Sequence, residues 1–123
     1  MELSQLFSAQ NVERALSENE IQNVVAQMLG ALPLDGRRVL LIVPDATRTA
    51  PVGTMFRLIH EELKCCAKLD VMIALGTHPP MSEAAICKRL EISLSQRQGE
   101  YSQVGFLNHA WDDPNQLHPL GTI

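Results

Sequence analysis

The chain has 123 residues, 46% hydrophobic and 20% charged, with a net charge of −4, which suits a single globular domain and excludes a disordered chain. Lysine and arginine are scattered without a basic stripe, so nucleic acid is not an expected partner. No apolar run approaches the roughly 20 residues that span a bilayer, and Met1-Glu2-Leu3-Ser4 lacks the basic and apolar regions of a signal peptide.

Residues 1–16 have mixed polarity and no period, and read as an arm ahead of a core over 17–123. Ser17-Glu18-Asn19-Glu20 has the form of a capping box. Ile21, Val24, Val25, Met28 and Leu29 then follow with the spacing of an amphipathic helix. Gly30 is expected to cap its end, Pro33 prevents continuation, and Asp35-Gly36 turns the chain into a strand. That strand, Arg38–Val43, shows no polar alternation after Arg38, the pattern of a strand buried on both faces in a parallel sheet.

Val52, Met55, Phe56, Ile59 and Leu63 share one helix face, and Lys68 to Leu75 forms a second strand. A crossover of one helix length predicts a right-handed βαβ unit. Ser82-Glu83 opens a short helix carrying Ala85, Ile86, Arg89 and Leu90. Residues 91–99 are polar and read as a loop, Tyr101–Leu107 reads as a third strand, and the tail has little pattern. The expected fold is α/β: a parallel sheet of βα units with helices on both faces, three layers in all, incomplete as it stands.

Cys65, Cys66 and Cys87 make an odd count with an adjacent pair, a poor disulfide framework. Reduced cysteines used as small apolar fill, in a cytoplasmic compartment, fit better.

Polar residues concentrate in two strand-to-helix loops. The first is Asp45-Ala46-Thr47-Arg48-Thr49-Ala50-Pro51, the second Gly76-Thr77-His78-Pro79-Pro80-Met81. In open α/β sheets ligands bind outside the carboxyl ends of the strands, so the two loops are expected to face one crevice. Arg48 offers a planar fork of donors for carboxylate or phosphate, and Thr47 a hydroxyl. Asp45 can orient Arg48 or His78, or accept from a sugar hydroxyl. The plainer alternative is a loop-bracing network with Arg48 paired to Asp45. Gly76 lets a backbone approach a ligand closely. His78, stiffened by two prolines, has the side chain and setting of a general acid or base; an isolated loop histidine is otherwise a surface residue. His109, Asp112 and Asp113 match no standard metal spacing, so no metal site is assigned. His109 lines or braces the same crevice, and Trp111 packs. The P-loop, dinucleotide-binding and nucleophile-elbow motifs are absent. Asp45-Ala46-Thr47 resembles the nucleophile loop of haloacid-dehalogenase phosphatases, but Thr47 stands where that loop needs its second aspartate.

Taken in order, Asp-x-Thr-Arg-x-x-Pro after one strand and Gly-Thr-His-x-x-Met after the next resemble the N-terminal domain of the lactate racemase family, the nickel-pincer 2-hydroxyacid racemases and epimerases. The resemblance covers roughly Gly36 to the end of the chain. It implies a nickel atom held by a modified pyridinium nucleotide, which takes a hydride from the alcohol carbon of the substrate and returns it to either face. Two histidines then serve the hydroxyl proton, one for each enantiomer. Motif for motif, His78 is the first of them and catalytic. Asp45, Thr47, Arg48, Gly76 and Thr77 belong to the substrate or cofactor site. His109 falls at an Asn-His-Asp-like strand end, but Ala110 replaces the following residue. The family's second histidine and its cofactor-anchoring lysine lie in a later Gly-Gly-x-Lys segment, and its nickel-ligand histidine lies beyond that segment; this sequence contains none of them. The resemblance therefore implies the first part of a cytoplasmic isomerase for small 2-hydroxyacids, inactive alone, which self-associates or joins the missing C-terminal part. A non-catalytic anion- or phosphate-binding module, or an assembly subunit, is the alternative.

Overall fold

The computed structural model describes residues 7–122. Residues 1–6 of the expected arm lie outside the described residues, and 7–16 form neither helix nor strand. Helix α1, Glu18–Gly30, starts where expected: Ser17 accepts from the Glu20 amide, and the Glu20 carboxylate accepts from the Ser17 amide. Gly30 is not the cap. It is the last helical residue, and Ala31 closes the helix in ordinary right-handed geometry.

Strand β1, Arg38–Pro44, is followed by α2, Val52–Glu62, and then β2, Lys68–Ala74. The two strands pair in parallel without a bulge, from Arg38 opposite Lys68 to Pro44 opposite Ala74. In this register Asp45 and Leu75 leave the sheet at the same level, so their loops emerge side by side. Helix α3, Glu83–Arg89, is capped by Ser82. A helix not foreseen in the polar stretch comes next, α4, Leu94–Gln98, carrying a Ser93/Gln96 capping box. Strand β3 is shorter than the sequence suggests, Gly105–Asn108, because Tyr101 is spent on a turn and buried in the core. It pairs in parallel with β2, giving the order β1-β2-β3.

The core lies on one face of the sheet. Val43, Val71 and Ile73 point into it and meet Phe56 of α2, Ile86 and Leu90 around α3, and Tyr101. Val71, Ile73 and Phe56 are at most 1% exposed. Burying each of these side chains contributes about 1.5–3 kcal/mol.

The opposite face is bare. Ile42, Met72 and Leu107 lie in one row across the three strands. Leu40 and Ile42 are 49% and 59% exposed, and Leu107 is 47% exposed. The expected cover on both faces is therefore present on one face among the described residues, and the apolar run in β1 marks a second face without its layer. No described helix is long and apolar enough to cross a membrane.

Candidate functional site

The two polar loops share a cleft of about 530 Å³ at the carboxyl ends of β1 and β2, lined by Ile42, Asp45, Thr47, Arg48, Thr77 and His78 among others. Asp45 is the buried charge of the molecule's described core, 6% exposed. Its Oδ1 accepts from the Thr47 amide at 3.1 Å and the Thr47 hydroxyl at 2.5 Å. Its Oδ2 lies 3.0 Å from His78 Nδ1. The Thr47 hydroxyl is the main cause holding the Asp45 carboxyl below its ordinary value, opposed by burial and helped by the Thr47 amide and the nearby imidazole. Such a carboxylate is an acceptor only, so its partner nitrogen carries the proton. His78 Nδ1 is therefore the nitrogen placed to donate toward Asp45, which leaves Nε2 outside that contact.

Of the options open in the sequence, Asp45 orients His78 and not Arg48. The Arg48 amide donates to the Asp45 carbonyl at 3.3 Å, which closes a turn. The guanidinium itself has no hydrogen-bond or ion-pair partner among the described residues and is exposed beside the cleft. The loop-bracing pair of Asp45 with Arg48 does not form.

The arginine that braces the loop is another one. Arg89 of α3 donates from Nε to the Pro44 carbonyl at 3.1 Å and from Nη2 to the Arg48 carbonyl at 2.8 Å. In the sequence Arg89 is only a member of its helix, and no local signal marks a contact so distant along the chain. At the start of α2, Pro51 offers no side-chain cap. The Glu91 carboxylate fills the space where a Cβ at Gly53 would stand, putting negative charge over the helix N-terminus.

The second loop turns at Gly76, whose φ is +61°. The His78 amide donates to the Leu75 carbonyl at 2.9 Å to close that turn. Nothing lies within 4 Å of a Cβ built at Gly76, so the glycine answers to the left-handed backbone and not to crowding within the chain. Beyond the histidine, the loop is tied to the end of β3. The Asn108 amide group makes a reciprocal pair with Met81, Nδ2 to the Met81 carbonyl and the Met81 amide to Oδ1, both at 2.9 Å. Trp111 Nε1 donates to the His78 carbonyl at 3.2 Å. Trp111, read as packing, is thus a hydrogen-bond donor to the loop.

His109 is half-buried, donates its amide to the Ile73 carbonyl at 3.1 Å and accepts from the Trp111 amide at 3.0 Å. It braces the Trp111 turn and is not among the residues lining the cleft. Asp113 caps the short 3-10 turn that follows. Among the described residues no three His, Cys, Asp or Glu side chains come together as a metal site would require.

A family model described as lactate racemase N-terminal domain matches residues 2–123. No curated protein matches the chain. Among solved structures, a protein from Thermotoga maritima that was a structural genomics target superposes with a TM-score of 0.69 over 81% of this chain, at 24% identity. At that identity the likeness speaks for the fold. The chain spans 23% of the length of that protein.

Proposed function

The chain belongs to the lactate racemase N-terminal domain family, and on that premise we propose that it forms the proton-handling wall of a 2-hydroxyacid racemase or epimerase site. The observation that carries the reading is the Thr47–Asp45–His78 series of contacts, two hydrogen bonds from Thr47 to the carboxylate and a 3.0 Å approach of its other oxygen to an imidazole half exposed at an open cleft. Inverting a 2-hydroxyacid through its keto form requires the hydroxyl proton to leave and return. His78 Nε2 accepts that proton. Asp45, already ionised and buried, stabilises the imidazolium that results, and Thr47 keeps the carboxylate aimed. Arg48, exposed at the same strand ends, takes the substrate carboxylate through its planar fork. Thr77 adds a hydroxyl at the cleft. A positioned acid or base of this kind contributes ~10²–10⁴-fold to rate.

The family's nickel-pincer nucleotide supplies the hydride chemistry at the alcohol carbon when it is bound. The donors at this cleft do not suit the nickel: one imidazole, one carboxylate already engaged by Thr47 and His78, and one guanidinium. No lysine lines the cleft either. The donors suit oxygen: Arg48 fits a carboxylate or a phosphate group, and His78 fits a hydroxyl. This chain's share of the reaction is therefore substrate holding and proton transfer.

The exposed Arg48 also permits a second reading, a module that binds anions without chemistry. The two are separated by comparing lactate with propionate, which has the carboxylate but no hydroxyl, as ligands of the full-length protein. The racemase reading expects tighter lactate binding, a preference lost in His78→Ala, with both ligands weakened by Arg48→Lys. Equal affinity for both acids, insensitive to His78, would favour the anion module.

A further inference from the structure

We propose that Asn108 and Trp111, at the exit of β3, are the positioning residues that aim the His78 imidazole. The proposal rests on the proton-transfer role given to His78 above and adds what holds it in place.

The loop from Gly76 to Pro80 is exposed throughout. Its prolines restrict φ but supply no amide donors. Within the loop, the only backbone tie at the histidine is the amide of His78 on the Leu75 carbonyl. Among the described residues the imidazole's close polar contact, 3.0 Å to Asp45, comes from the neighbouring loop. A bond between two loops fixes geometry only if both loops are themselves fixed. The Asp45 loop is fixed by Arg89, which grips the Pro44 and Arg48 carbonyls. The His78 loop needs an equivalent anchor, and the exit of β3 provides it.

The sheet register brings this about. β3 pairs with β2 so that Asn108 stands opposite Ile73, three residues ahead of Gly76 where the loop begins. Asn108 therefore reaches across to Met81, just past the loop, and makes both of its backbone hydrogen bonds. That pairing mimics one further rung of sheet. Three residues on, the indole of Trp111 donates to the carbonyl of His78 itself. The turn that carries Trp111 is closed by the His109 carbonyl, and His109 is hung from Ile73 in β2. The histidine is consequently held from its amide side by Leu75, from its carbonyl side by Trp111, and downstream through Met81 by Asn108. Neither Asn108 nor Trp111 lines the cleft, so their influence passes through the loop and not through contact with a ligand. An asparagine is suited to this: its side chain carries a donor group and an acceptor at the spacing of a peptide group, whereas an aspartate of similar size keeps only the acceptor and a leucine has neither.

The test is made on the 123-residue chain by nitrogen-15 NMR of histidine side chains, which reads the tautomer of each imidazole. The wild type is expected to show His78 mainly as the Nδ1–H form, against the Nε2–H preference of free histidine. In Trp111→Phe and in Asn108→Asp the proportion of the Nε2–H form of His78 rises, with the larger rise in the double variant. The backbone spectrum of the Val71–Ile73 core stays at wild-type positions. Asn108→Asp keeps the acceptor for the Met81 amide and is expected to lie between wild type and Asn108→Ala, a graded response that a merely structural role would not give. An unchanged His78 tautomer in the double variant, with the core spectrum intact, would overturn the proposal. The readout is the imidazole and not turnover: a racemase reading that failed would leave these shifts as predicted, and unchanged shifts would leave the racemase reading standing. Trp111→Phe alters an exposed side chain, so the measurement remains available if the Asn108→Ala protein does not fold.

Discussion

Asp45 Oδ2 and His78 Nδ1 lie 3.0 Å apart although each belongs to the loop after a different strand. The pairing arises from the bulge-free parallel register, which sets Pro44 opposite Ala74. Asp45→Asn keeps the shape but gives the imidazole an amide whose oxygen cannot serve both Thr47 and His78 as the carboxylate does. His78 is then expected to lose its Nδ1–H preference. In the full-length enzyme kcat should fall by ~10²–10⁴-fold, with folding retained. Circular dichroism and steady-state kinetics on the same preparation check both halves.

Two of the described carboxylates lie below their ordinary values. Thr47 holds the Asp45 carboxyl below its ordinary value. Glu20, bonded first to Arg14 and then to the Ser17 amide, is lowered to about 2. A carboxylate with a lower pKa when folded contributes stability that is complete above its unfolded value, near 4, and is lost as pH falls through the folded value. The α1 cap should therefore persist between pH 4 and 2 and fail near pH 2. Glu20→Gln should destabilise the chain at pH 6, and the difference from wild type should shrink to nothing as pH falls through 2. Denaturant titrations at stepped pH give the curve.

Arg89 ties α3 to the Asp45 loop through two carbonyls. Hydrogen bonds from a charged donor are worth about 1.5–3 kcal/mol when buried. Arg89 is half-buried, so Arg89→Ala should cost about 1–2 kcal/mol on that scale, and Arg89→Lys somewhat less. Hydrogen exchange should quicken at the Arg48 amide before it quickens in β1. Equal protection in all three proteins would show that the loop stands without the clamp.

The three thiols should separate cleanly. Cys65 is exposed, Cys66 intermediate and Cys87 buried, and burial raises the Cys87 thiol above its ordinary value. The thiolate is the reactive form. Alkylation at pH 8 should therefore modify Cys65 first and Cys87 last, with Cys87 released by denaturant. Mass spectrometry of timed samples reads the order.

Ile42 and Leu107, exposed on either side of the half-buried Met72, form an apolar row that should favour self-association. Ile42→Ser with Leu107→Ser should lower association in sedimentation runs with little loss of stability, because both side chains are already about half exposed. An unchanged concentration dependence would place the contact elsewhere.

The parts of this molecule that were legible in its sequence are those governed by neighbours along the chain. The Ser17–Glu20 capping box and the parallel strands around a one-helix crossover come from local pattern, and that crossover is enough to put the two polar loops at one end of the sheet. The Ser93–Gln96 box was equally local, but it opens a helix too short to show a period. What escaped was set by register. Asn108 on Met81, Trp111 on His78 and Arg89 on the Asp45 loop join residues far apart in sequence, and no spacing announces them. The apolar run of β1 leads to the expectation of burial on both faces, and cover is seen on one. It could not tell that one of them would lie open among the described residues.

The role proposed for His78, carrying the hydroxyl proton, is tested most directly by chemical rescue. The imidazole is half exposed at an open cleft, so removing it in His78→Ala leaves room for free imidazole to enter. The measurement is the rate at which the full-length, cofactor-loaded His78→Ala enzyme converts a single enantiomer of a 2-hydroxyacid, with and without added imidazole. The predicted result is a loss of ~10²–10⁴-fold, recovered in part as imidazole concentration rises. Turnover near the wild-type rate without imidazole would contradict it.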